Sequence, residues 1–207
     1  MIRAAIEVFV EAGYVGARMS DIADRAGVAV QTVYFTFHTK GELLQACFDF
    51  AVLGPERLRP LEQAPFADLL EGRSGRAALG GFVRGNTAIL RRTAAIKEVA
   101  ESAPHEPDAA AVVADSERLR RQGLSEVVEL LTDRFALRAG LSGEDATDLL
   151  LMLSSSATYL TLQSYGWSEE KYVEWLTDTL ARQLLAQPGR RAINHASLSH
   201  AASRVSP

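Results

Sequence analysis

Gln31, Tyr34, Phe35 and His38 stand at i, i+3, i+4 and i+7. On a helix, residues at that spacing share one face. Val33 and Phe37 fall on the opposite side and would anchor such a helix inward. The result is a polar and aromatic surface on a short helix. That surface suits docking into a nucleic-acid groove, where amide and aromatic side chains meet base edges. Other chemistry is poorly provided for. His38, His105, His195 and His200 are dispersed, and His105-Glu106-Pro107-Asp108 has no usual metal-ligand spacing. Ser154-Ser155-Ser156 has no His or acidic neighbour in sequence to activate a hydroxyl. Neither a catalytic constellation nor a metal or cofactor site is expected.

Charge sharpens the question. Met1–Gly54 holds four basic residues (Arg3, Arg18, Arg25, Lys40) against six acidic ones (Glu7, Glu11, Asp21, Asp24, Glu42, Asp49), a formal balance of −2. The 207-residue chain is at −4, so no global positive field advertises a polyanion. A single cysteine, Cys47, excludes an internal disulfide and suits a reducing, cytoplasmic setting. The most apolar window, Leu149 to Gln163, is rich in hydroxyls. It is too short to span a bilayer comfortably, so no membrane association is expected.

The elements that would carry the polar-aromatic face are helical throughout. Apolar residues recur three and four apart, with no sustained alternation, and the fold class is all-α. Ile2, Ile6, Phe9 and Val10 mark the inner face of a first helix stopped by Gly13. Ile22, Ala23 and Ala26 mark a second, closed by Gly27, and a third runs from near Ala29 to about Phe35. Gly27 in a tight turn between two short helices makes a helix-turn-helix. Thr39 with Glu42 three residues on reads as a capping box opening a fourth helix that ends near Leu53. Gly and Pro residues from Gly54 to Gly75 mark a domain boundary. Beyond it we expect helices over 76–92 and 94–102, a turn at Ala103–Pro107, and a long amphipathic stretch over 108–139. A helix capped by Ser142 should run to Tyr165, and the last, capped by Ser168, should cover 169–186. The window 149–168 would then be a helix buried on several sides, one of them against a second copy. Residues 188–207, with Arg190, Arg191 and Arg204 and no acid, are expected to form a mobile tail.

Gly13-Tyr14, Asp21-Ile22-Ala23, Ala26-Gly27-Val28, Thr32-Val33-Tyr34, Phe37, and Thr39-Lys40 with Glu42-Leu43-Leu44 closely resemble the DNA-binding domain of the TetR/AcrR family. The resemblance covers about fifty residues, and a looser one covers Ala136–Leu180. It implies a three-helix head with a linking helix over 1–54. It also implies a helical ligand-binding and dimerisation domain over 55–187, paired through its last two helices. Val30 and Gln31 take positions that touch base edges. Gln can pair with adenine N6 and N7, for about 1–3 kcal/mol of discrimination. Thr32 belongs to the same motif. Tyr34 takes a phosphate-contacting position, and Phe35 could offer apolar contact to a thymine methyl. Thr36 and Thr39 could hydrogen-bond phosphate, and Lys40 should meet phosphate at the start of the fourth helix.

Departures from the family pattern are also legible. Arg18 stands where a capping Thr is usual, so that cap is lost or moves to Ser20, and Arg18 itself could reach phosphate. Ala29 replaces a capping Ser, which typically costs about 1 kcal/mol. Met1 falls almost inside the first helix, so the longer, basic lead usual in the family is expected ahead of it. The family opens a ligand pocket among its middle helices. The candidates here are Phe82, Asn86, Ile89, Met152, Ser155 and Tyr159. The whole reads as a cytoplasmic, homodimeric transcriptional regulator, most simply a repressor of a palindromic operator released by a small apolar effector. The rival is a helical ligand- or partner-binding protein of the same fold without sequence-specific DNA binding.

Overall fold

The computed structural model describes residues 1–186; the tail expected over 188–207 lies outside them. Ten helices carry the fold among the described residues: α1 (Ile2–Gly16), α2 (Met19–Ala26), α3 (Val30–Thr36), α4 (Lys40–Leu53), α5 (Ala67–Glu71), α6 (Gly75–Glu101), α7 (Pro107–Thr132), α8 (Gly143–Leu153), α9 (Ser156–Ser164) and α10 (Glu169–Leu184). A lone bridge, Leu137 with Leu185, ties the last turn of α10 to the α7–α8 loop.

Two apolar cores organise the chain. The first gathers Ala5, Val8 and Phe9 of α1, Ile22 and Ala23 of α2, Val33 of α3, and Leu43, Leu44 and Cys47 of α4. It also takes Ile96, Val99 and Ala100 from the end of α6 and Ala109 and Val112 from the start of α7. The second gathers Leu79, Phe82 and Val83 of α6, Val127 and Leu131 of α7, Leu150 of α8, and Tyr172, Leu176 and Leu180 of α10. Helices α6 and α7 therefore form an antiparallel pair that runs through both cores. The head does not close its core with residues 1–54 alone.

Several local readings are corrected. Val10 is 49% exposed, because the inner face of α1 runs through Ala5, Val8 and Phe9 instead. Positions 76–102 form one helix, α6, rather than two; nothing between Arg92 and Ala94 breaks the backbone ladder. Conversely, the helix expected from Ser142 to Tyr165 breaks at Ser154 into α8 and α9. Side chains take over the work of the ladder there. Ser154 Oγ donates to Leu150 O (2.6 Å), Asn86 Nδ2 donates to Ser154 O (3.0 Å), and Arg120 Nη2 donates to Leu151 O (2.9 Å). Ser155 then caps α9 by accepting from Thr158 N.

Two polar clamps fix α4. At its C-terminal end, where the last carbonyls lack intrahelical donors, Arg92 of α6 donates to Ala51 O (2.9 Å) and Val52 O (3.1 Å). The same guanidinium donates to Gln63 Oε1 (2.7 Å), and Gln63 Nε2 donates to the carbonyls of Val52, Leu53 and Leu58. At the N-terminal end, Lys40 reaches back to α1, as described below.

Candidate nucleic-acid interface

Helix α2 ends on Gly27 at φ 67°, ψ 33°, the left-handed cap that lets the chain reverse in so few residues. Val28 N then donates to Ala23 O (3.0 Å), which closes the turn. Helix α3 follows and is pinned by Val33, which is fully buried, and by half-buried Phe37. Gln31, Thr32, Tyr34, Phe35 and Thr36 are exposed, with Tyr34 at 50% and Phe35 at 86%. Val30, expected at a base edge, is half-buried and packs on the head core. Seven residues anchored by Val33 and Val30 thus present two aromatics and an amide to solvent.

The polar groups around α3 are arranged less simply. Thr36 Oγ1 donates to Thr32 O (2.9 Å), which occupies its hydroxyl proton within the helix. Thr39 caps α4 by accepting from Glu42 N (3.0 Å), so its own proton stays available to a phosphate oxygen. Glu42 does not complete the capping box on Thr39 N. Its carboxylate instead accepts from His38 N (3.0 Å) and lies 3.1 Å from His38 Nδ1. The His38 ring and then the His38 amide hold that carboxyl below its usual range. Helices α2 and α3 begin at Arg18 and Ala29 without a side-chain cap. Ser20 does not substitute, because its hydroxyl donates to Asp21 (3.2 Å).

The Lys40 ammonium was expected to meet phosphate at the start of α4. It is folded against α1 instead, donating to Tyr14 O (2.7 Å), Ala17 O (3.3 Å) and Val15 O (3.4 Å), and lies 4.5 Å from the centroid of the Tyr14 ring. The carbonyls closing α1 are a favourable seat for a cation. Arg25 is engaged as well, pairing with Glu11 (2.6 Å) and Glu7 (3.4 Å). Among the described residues Arg18 makes no ion pair and no side-chain hydrogen bond, and it is exposed.

The six residues expected around a ligand are not brought together. Phe82 and Tyr159 are core residues, and Tyr159 OH hydrogen-bonds Gln163 (2.8 Å) and Glu169 (3.3 Å). Asn86 holds the α8–α9 break, Ile89 is half-buried, and Met152 is 60% exposed. Only Met152 and Ser155 line the open groove of about 690 Å³ between α6, α7, α8 and α9. Lys97, Glu117 and Arg120 line it too, joined as ion pairs: Lys97 to Glu117 at 2.7 Å and Arg120 to Glu117 at 3.5 Å. Those three charged residues escaped the sequence reading, since they look like ordinary surface positions until α6 and α7 are laid side by side. No His, Cys, Asp or Glu cluster among the described residues is arranged to hold a metal. No helix among them is long and apolar enough to cross a membrane.

An all-helical chain with a helix-turn-helix head and an exposed second helix in that motif has the architecture of DNA-binding regulators. Residues 1–47 match the model of the bacterial regulatory proteins of the tetR family. Solved structures share the fold over most of their length. NalD, the secondary repressor of the MexAB-OprM multidrug efflux pump in Pseudomonas aeruginosa, is 20% identical with a TM-score of 0.66 over 91% of this chain and 95% of its own. The fatty acid degradation regulator FadR from Bacillus halodurans is 20% identical, with a TM-score of 0.67 over 86% and 95%. FadR from Bacillus subtilis, solved with stearoyl-CoA, is 18% identical, with a TM-score of 0.64 over 86% and 95%. No curated protein matches the chain.

Proposed function

We propose that this chain is a cytoplasmic transcriptional repressor that binds a palindromic operator as a homodimer and is released by a small, largely apolar effector. The observation that carries the reading is the exposed face of α3, with Gln31, Tyr34 and Phe35 held outward over a buried Val33. Gln31 and Phe35 read base edges; Tyr34, Thr39 and Arg18 meet phosphate. Residues 1–54 form the reading head, and 55–187 form the effector and dimerisation domain. The charge-free stretch 149–168 leaves Met152, Leu160 and Tyr165 at 60%, 46% and 72% exposure. An apolar surface of that kind supports pairing with a second copy. The stearoyl-CoA held by Bacillus subtilis FadR supports an effector with a large apolar part.

Docking two such helices on one operator requires half-sites about 34–36 Å apart, one turn of DNA, or a multiple of it. An effector that prefers another spacing shifts the population away from DNA. Selection from random duplexes at low salt is expected to enrich an inverted repeat with that spacing. Enrichment of no inverted repeat would sink the reading. A second reading, a ligand- or partner-binding protein whose head no longer reads sequence, is favoured by the head's charge of −2 and by the engaged Lys40 and Arg25. Gel shifts on the parent and on Gln31→Ala separate the two: the repressor loses specific affinity on substitution, whereas the rival shows none in either protein.

A further inference from the structure

We propose that Lys40 is a positioning residue for operator binding, clamping the corner between α1 and α2, and that Arg18 on that corner is the cation that meets the phosphate. The inference rests on the operator-binding reading above. An ammonium group has three N–H donors. All three of Lys40's have a carbonyl within reach, on Tyr14, Val15 and Ala17. The Tyr14 ring faces the ammonium, and Tyr14 is itself 2% exposed with its hydroxyl on Asp108 (3.3 Å). To bind a phosphate, Lys40 would have to surrender three carbonyl contacts at this corner.

That corner is the passage from α1 into the helix-turn-helix. Past the kink at Gly13, the chain turns through Ala17 and Arg18, both extended, and enters α2 with Arg18 as its uncapped first neighbour. Arg18 O accepts from Asp21 N and Ile22 N, so the Arg18 backbone is bound into α2. Its side chain is exposed and among the described residues has no partner. Lys40 holds the carbonyl of the preceding residue, Ala17, and so sets the point from which Arg18 projects.

Salt dependence of operator binding distinguishes a positioning cation from a contacting one. Each phosphate neutralised contributes about 0.9 to the slope of log K against log salt, so a residue present in both protomers contributes ~1.8. Arg18→Gln is expected to lower the slope by about that amount. Adding Lys40→Met to Arg18→Gln is expected to leave the slope at the Arg18→Gln value, because Lys40 acts through Arg18 and neutralises no phosphate itself. In the unaltered protein, Lys40 should resist acetylation with or without operator, because its ammonium is held on the protein. A further fall of about 1.8 on adding Lys40→Met to Arg18→Gln overturns the inference. So does a Lys40 that is readily acetylated in the free protein and protected only on DNA, a readout that holds even if Lys40→Met fails to fold. A parent protein with no specific DNA affinity would fail the operator reading instead, while the acetylation result still judges the clamp.

Discussion

Replacing Arg92 with methionine removes the clamp on the C-terminal end of α4 while keeping most of the side chain's apolar stem. Val52 O retains Gln63 Nε2 at 3.0 Å. Two acceptors lose their guanidinium donor: Ala51 O, on a residue 6% exposed, and Oε1 of Gln63, which is 8% exposed. Each buried acceptor left without a donor costs about 1–3 kcal/mol. Part of that loss is offset, because burial and then neighbouring Arg91 disfavour the charge on Arg92 in its native seat. A net loss of roughly 2–3 kcal/mol follows. With a urea m-value of about 2 kcal/mol/M, the unfolding midpoint should fall by ~1 M. The comparison is made at one protein concentration, since a dimer's midpoint depends on it. Arg92→Lys, which can reach one carbonyl as a point charge, should fall between the two. A midpoint for Arg92→Met within about 0.3 M of the parent would refute the idea that this clamp carries the joint between α4 and α6.

Two further outcomes follow from the packing and the titrating groups. At Gly81 an added methyl would press on the backbone of Asp68 and Leu69, which cannot swing aside, whereas at Gly123 it would meet open space. Gly81→Ala should therefore lower the melting temperature by several degrees, for an overpacking cost of about 1–3 kcal/mol, and Gly123→Ala should raise it or leave it unchanged; equal behaviour of the two counts against the argument. Burial, then the Asp108 carboxylate, pushes the Tyr14 phenol from 10.0 up to about 12, and burial pushes the Cys47 thiol from 9.0 up to about 12. Both groups hold their protons more tightly when folded, so their contribution is full below pH 9 and is lost as pH rises towards 12. Urea midpoints should fall steadily above pH 9, and Cys47→Ala should flatten the first part of that fall. A constant midpoint from pH 8 to 11 would contradict it.

Legibility followed the range of the interactions. Gly27 announces its turn because only a left-handed residue fits there, and Thr39 announces α4 because its cap is satisfied three residues away. The outward face of α3 was readable from a spacing of seven residues. The seat of Lys40 was not, since it depends on carbonyls 23 to 26 residues earlier. The break at Ser154 was equally hidden, because the groups that replace the helical ladder come from Asn86 and Arg120 on other helices. The ligand candidates were drawn from the resemblance, which places a pocket among the middle helices without fixing which side chains face it. Phe82 and Tyr159 lie in the core of the helical body.

The 27 residues of α6 make a bar about 40 Å long. The 3-10 turn at Phe66 and the start of α5 bear on it at Gly85 and Gly81, where the absence of side chains lets them press closest. Such a notch is a fulcrum. Arg92 lies seven residues beyond Gly85, roughly 10 Å along the axis, and Glu101 lies roughly 24 Å along it. A tilt of about 5° at the notch would move Arg92 by ~1 Å and the end of α6, set in the core of the head, by ~2 Å. Under such a tilt, the position of the two glycines would set the gearing between the helical body and the reading head. The same pair one turn earlier would lengthen the arm and enlarge the stroke without changing a residue in either core.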